Sequence, residues 1–166
     1  MSTNHDYAAS EWQSIVTAPA AAGLLVTLAD ASGPIGVVKE GMAVTRAVTD
    51  TTATDVPEVV ASIVSEVRSG SIRPELPKLP LTDKEQAKAV LLEAITAGVT
   101  AVEAKSPTEA HGYKTWLVAT ATRVAQASKE GGFLGFGGTL VSAEEQAALT
   151  ALAAALGVPA PAPQAT

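Results

Sequence analysis

Two histidines and no cysteine are all that this 166-residue chain offers as soft ligands or neutral-pH bases. His111 stands near Glu109 and Tyr113, and His5 lies close to the first residue. A helical metal pair needs ligands three or four residues apart, so that both point to one side. Glu109 and His111 are two apart and diverge, and no Glu-x-x-His occurs anywhere. A serine nucleophile needs a histidine base, and no Gly-x-Ser-x-Gly elbow is present. The absence of cysteine excludes disulfides, thiolate metal sites and thiol nucleophiles. The adjacent carboxylates Glu144 and Glu145 fall at a helix start, where the helix dipole stabilises negative charge. His111 therefore reads as a surface or half-buried polar residue. No catalytic residue, metal ligand or cofactor is expected.

Binding is the better-supplied chemistry. Glu130 to Gly138 holds five of the 13 glycines and both phenylalanines. Glycine frees the backbone, while Phe133, Leu134 and Phe136 need somewhere to bury. A phosphate cradle would want a following lysine and a preceding strand; this stretch has neither and follows a helix end. The expected role is a helix stop at Gly131 or Gly132, with Phe133 and Phe136 pinned into the core. The alternative is a loop that meets a partner or a membrane surface, although no basic cluster flanks it. Tyr113 and Trp116 lie one turn apart on one helix. They read as core anchors, or as walls of a pocket shared with Phe133 or Phe136, which would make the chain a small-ligand binder or an enzyme.

The elements that must position these residues are helical throughout. Five segments open with capping boxes or near relatives: Ser10-x-x-Gln13, Asp55-x-x-Glu58, Thr82-x-x-Glu85, Ser106-x-x-Glu109 and Ser142-x-x-Glu145. In each, the first side chain accepts a free amide of the opening turn, and the Glu or Gln reaches back to the cap. Pro57 and Pro107 fall in first turns, where a missing N–H costs nothing. The spacing predicts helices over 10–30, broken or kinked at Pro19, and over 33–49, 56–68, 83–104, 107–130 and 143–156. Ala87, Leu91, Ala94, Gly98 and Val102 share one face. Tyr113, Leu117, Thr120, Val124 and Ala127 share another. Leu149, Leu152 and Leu156 form a stripe that Gly157 ends. Val56 to Val67 is rich in Val and Ile, but its apolar residues follow helical spacing. No stretch alternates as a strand does. The fold class is all-α: a compact single-domain bundle of about six helices over 10–158, with tails at 1–9 and 159–166. A crossing at 69–81, with Pro74, Pro77 and Pro80 at every third position, suits an extended polyproline-like path and offers a possible sub-division.

Composition narrows function further. Hydrophobic residues make up 47% and aromatics only 4%, so Ala, Val, Leu and Ile must fill the core. Net charge is −6, with no basic stripe for a phosphate backbone, so nucleic acid is not an expected partner. Residues 1–38 hold no Lys or Arg, so no secretory n-region is present. The apolar run Ala18–Leu28 is interrupted by Pro19 and is too short to span a bilayer. A cytoplasmic setting is expected.

The last quarter, from Glu130 to Val158, resembles a set of small bacterial all-helical proteins of unassigned function that carry the Gly-Gly-Phe-Leu-Gly-Phe-Gly-Gly core. Its final helix is also similar to the TerB-like tellurite-resistance family, whose pattern is Asp-Gly-x-Val-Ser-x-x-Glu before a helix ending in Leu-Gly. Val141, Ser142, Glu145, Leu156 and Gly157 match, and Ala29-Asp30 with Ser32-Gly33 is a fainter echo. The acidic residue that precedes the glycine in that family is absent, so the likeness implies an all-helical, stress-associated accessory protein without a metal site. Together with a mean hydropathy of +0.25, it points to a non-enzymatic protein acting by self-association, as a homodimer, or by binding a protein partner.

Overall fold

Pro19 ought to end a helix, because its ring blocks the preceding turn and it has no N–H for the carbonyl of Ile15. It does neither. The computed structural model, which describes residues 4–29, 45–51, 56–80, 82–130 and 141–163, has one helix, α1, running unbroken over Ala9–Thr27 with Pro19 inside it. The missing donor is replaced from another helix. The Tyr113 hydroxyl donates to the Ile15 carbonyl at 2.8 Å, in a fully buried position.

The chain then builds four further helices: α2 (Glu58–Ser69), α3 (Lys84–Lys105), α4 (Pro107–Glu130) and α5 (Ala143–Leu156). A helical turn at 45–49 and a 3-10 turn at Asn4–Asp6 complete the described elements, and no strand occurs among them. The fold is all-α, a compact single-domain helical bundle, and its core is one continuous cluster drawn from all five long helices.

Every residue of α1 from Ile15 to Val26 is buried. A helix apolar all round belongs at the centre of a bundle, and α1 touches α3, α4 and α5. The approach of α3 depends on Gly98. A Cβ there would stand 2.8 Å from the Ser14 carbonyl oxygen, 2.9 Å from the Ala18 Cβ and 3.2 Å from the Tyr113 hydroxyl. The proline turn of α1, the glycine of α3 and the tyrosine of α4 therefore meet at one point.

The helix starts were placed nearly right by their sequence signals, but the capping groups differ. Helix α1 begins at Ala9, with Ala8 rather than Ser10 at the cap position: the Glu11 carboxylate accepts from the Ala8 N–H at 2.7 Å. Helix α3 is capped by Asp83 rather than Thr82, through a 3.0 Å bond from the Gln86 N–H. The Glu109 carboxylate serves another helix, accepting the Val59 N–H in the first turn of α2 at 2.7 Å. The Ser106 hydroxyl meets the Tyr7 hydroxyl at 2.7 Å. Asp55 lies outside the described residues, and Pro57 occupies the cap position of α2. The box at α5 forms as expected: the Glu145 N–H donates to the Ser142 hydroxyl and the Ser142 N–H to the Glu145 carboxylate. Gly157 ends α5 in the left-handed region at φ 67°, with the Val158 N–H bonded back to Ala153.

Between α2 and α3, residues 72–80 cross without helix or strand. The crossing is tied to α1 by Gln13, which donates to the Arg73 carbonyl at 2.8 Å, and by Thr17, whose hydroxyl accepts from the Glu75 N–H at 3.1 Å. Ile72 and Leu79 pack against the core. The start of the chain, expected as a tail, has an anchor: Tyr7 is buried, with its ring 5.5 Å from that of Trp12. Of the helix predicted over 33–49, only 45–49 falls among the described residues. Arg123 donates to the Ala47 carbonyl at 3.2 Å and Arg68 to that of Thr49. Burial holds the Arg123 guanidinium below its usual pKa, against the opposing pull of Asp50.

Candidate functional site

Tyr113 and Trp116 sit in the core. Tyr113 is fully buried, and burial pushes its phenol well above the ordinary tyrosine pKa, with Tyr7 adding to the effect. Trp116 is buried and its ring nitrogen donates to the Thr51 hydroxyl at 3.0 Å. The two rings lie 6.1 Å apart, tilted by 34°. The polar end of each is thus committed to backbone or side chain of the bundle. The other candidate residues, Gly131, Gly132, Phe133, Leu134 and Phe136, lie outside the described residues. His111 is exposed. Among the described residues, no three acidic or histidine side chains gather as a metal site would require. Ala127, expected on the buried face of α4, is exposed, and the described core of that helix ends with Ala125.

The surface that stands out was not among the expected sites. Helices α3 and α5 and the end of α1 enclose a groove of about 650 Å³. One wall is α3, with Glu85, Lys88, Ala89 and Leu92; the floor includes Leu25 and Ala29 at the end of α1. The other wall is α5, with Glu144, Ala147, Ala148, Ala151, Leu152 and Ala155. Leu92 is 39% exposed, and Leu76 at 42% is the other large apolar side chain exposed among the described residues.

Sequence explains why the α5 wall of the groove is apolar beyond Glu144. Helix α5 has no charged residue after Glu145, and no Lys or Arg anywhere. Its inward stripe is Leu149, Leu152, Ala153 and Leu156, and its outward positions are Ala147, Thr150, Ala151, Ala154 and Ala155. A surface helix normally puts charge on the outward face. Among the described helices, only α1 shares this make-up, from Ile15 to Val26, and that run is enclosed. Among the described residues, helix α5 has the composition of a central helix, yet its packing partners, α4 and α1, leave Ala147, Ala151 and Ala155 exposed.

The groove's polar groups stand at its edge. Lys88 forms an ion pair with Glu85 at 2.8 Å, one turn away on α3. Among the described residues no cation pairs with Glu144 on the opposite wall. A second cleft of about 490 Å³, bordered by Thr51, Ser65, Arg68 and Ser69, is more polar. Its one guanidinium already donates to the Thr49 carbonyl.

The buried half of a helix about 10 Å across fills on the order of 200 Å³ per turn. The groove therefore matches about two to three turns of an incoming helix. The alanines at 147, 151 and 155, spaced one turn apart, lower that wall enough for close backbone approach. The α5 wall, built mostly of alanine, offers an apolar surface for another apolar surface to cover. Set against family models, curated proteins and solved structures, the chain matches none.

Proposed function

We propose that this protein is a non-enzymatic helical binding protein whose working surface is the groove between α3 and α5, which takes an apolar helix from a protein partner or from a second copy. The observation that carries this reading is the uncharged outer face of α5, Ala147 to Ala155, left open beside the exposed Leu92. Covering it removes apolar surface from water at about 25 cal/mol per Å². A small-residue wall also lets two helix backbones approach closely. The likeness of Val141, Ser142, Glu145, Leu156 and Gly157 to the TerB-like pattern falls on this same helix, and it supports a stress-associated accessory role. The cysteine-free composition supports a cytoplasmic setting. No described helix is long and apolar enough to cross a membrane.

Amide chemical shifts followed during titration with a synthetic helical peptide bearing a Leu/Ala stripe test the proposal. Shifts should concentrate on 85–92 and 144–155. Light scattering on the free protein measures self-association alongside. A peptide that perturbs only residues remote from both walls, or perturbs none at millimolar concentration, removes the groove as the working surface.

A further inference from the structure

Resting on the reading of the groove as a helix-binding surface, we infer that its occupant is an amphipathic helix of another protein, apolar along one stripe and basic along its flanks. The argument starts from the charges that an incoming helix would meet. Three ionisable side chains line the groove: Glu85 and Lys88 on α3 and Glu144 on α5. Lys88 is held by Glu85 at 2.8 Å, so that lip is close to neutral. The α5 lip is acidic, because Glu144 has no cation beside it among the described residues and α5 contributes no Lys or Arg of its own. A helix seated between the walls projects its flanking residues over these lips. A lysine or arginine there meets Glu144 on one side and can exchange with Lys88 for Glu85 on the other. An acidic flank meets like charge on the α5 side.

A second copy fits less well. Each chain carries a net charge of −6, so two copies approach against repulsion. The exposed face of α5 would bring alanines and a further Glu144, with no cation to answer the first. The apolar stripe of the occupant can be read from the walls. Leu92 stands up from α3 and the alanines at 147, 151 and 155 lie low on α5. Larger apolar side chains of the guest therefore belong over the α5 alanines, and a small residue belongs against Leu92. Complementary charge of this kind mostly sets partner choice and association rate, while the apolar stripe supplies affinity.

The test uses two synthetic helical peptides with the same Leu/Ala stripe, one with lysines on both flanks and one with glutamates. Each is titrated by fluorescence anisotropy against the full chain, Leu92→Glu and Glu144→Lys. The lysine peptide should bind at least about tenfold more tightly at low ionic strength, with the advantage shrinking as salt approaches about 1 M. Glu144→Lys should erase most of that preference while leaving the glutamate peptide's affinity equal or better. Leu92→Glu, at a position already 39% exposed, should fold normally and weaken both peptides. Equal binding of the two peptides, still lost in Leu92→Glu, overturns the basic-flank inference and leaves the groove standing. Binding unchanged by Leu92→Glu, or no binding of either peptide, overturns both. If light scattering shows the free chain doubling in mass with concentration, and Leu92→Glu abolishes the doubling, the occupant is a second copy and the inference falls.

Discussion

Replacing Tyr113 with phenylalanine removes one oxygen atom, and that oxygen holds α1 together at its proline. The hydroxyl donates to the Ile15 carbonyl at 2.8 Å, the acceptor that Pro19 cannot serve. Both residues are fully enclosed, at 0% exposure each, so water does not take the place of the lost donor. A buried carbonyl stripped of its partner costs about 1–3 kcal/mol. A domain of this kind is stable by about 5–15 kcal/mol in total, and at this chain length the loss lowers the melting temperature by about 2–4 °C per kcal/mol. The single variant does not isolate the proline's part in this, but a double-mutant cycle with Pro19→Ala does. Alanine restores an N–H that Ile15 can accept within the helix, and it also relieves the interior-proline penalty of about 3 kcal/mol. Loss of ring packing offsets some of that gain, so the sign of Pro19→Ala alone is not the readout. The coupling is: Tyr113→Phe should cost about 1–2 kcal/mol less in the Pro19→Ala background, measured by urea unfolding followed by far-ultraviolet dichroism. A coupling below about 0.5 kcal/mol, the ordinary scatter of independent sites, refutes the idea that the tyrosine stands in for the proline's missing amide.

Gly98→Ala should destabilise by about 1–3 kcal/mol even though alanine is the better helix former, because its methyl meets backbone at 2.8 Å and another Cβ at 2.9 Å, neither a flexible chain end; a melting temperature equal to or above that of the parent contradicts this. Ser142→Ala removes the α5 cap and should cost about 1 kcal/mol, whereas Thr82→Ala should cost little, since Asp83 is the cap at α3; chemical denaturation distinguishes the two. Alkaline pH should destabilise the fold through Tyr113. Its folded pKa is raised by burial, so its contribution is complete below the unfolded value of about 10 and is lost as pH rises beyond it towards the folded value. The stability gap between the parent and Tyr113→Phe should therefore narrow above about pH 10, and a gap that widened there would contradict the assignment.

Local signals made the helices legible, and contacts distant in sequence set most of the remainder. The stripe Leu149, Leu152, Leu156 and the box Ser142 to Glu145 involve residues within one helix, and both appear as expected. Glu109 shows the limit of such reasoning. Its spacing from Ser106 is that of a capping box, yet its carboxylate caps α2, while the Ser106 hydroxyl also meets Tyr7, partners 50 and 99 residues away in sequence. Pro19 carried a strong local signal for a break. It was overridden because a hydroxyl 98 residues beyond Ile15 arrives at the right carbonyl, and no pattern within α1 announces that. The candidate aromatics divide. Tyr113 and Trp116 are buried in the core, one of the two roles considered for them, while the phenylalanines of the glycine-rich stretch lie outside the described residues. The groove did leave a mark in sequence, in the absence of any charge from Gln146 to Leu156. That mark is ambiguous by itself, because an uncharged helix is equally a central one, as α1 is.

The contrast between α1 and α5 also bears on how a groove of this kind can be open and still belong to a stable protein. Helix α1 has no outward face, so a charge placed anywhere between Ile15 and Val26 must be buried, at several kcal/mol. Helix α5 tolerates charge along Ala147, Ala151 and Ala155, because those positions already face water. The fold therefore does not require that face to be apolar; lysine or glutamate there would add solubility at little cost to the bundle. The alanines also keep the exposed apolar area small, which limits non-specific association, while leaving room for a helix to come close. A surface that the described bundle leaves free to be charged, yet that carries alanine at 147, 151 and 155, is what the proposed helix-binding role calls for.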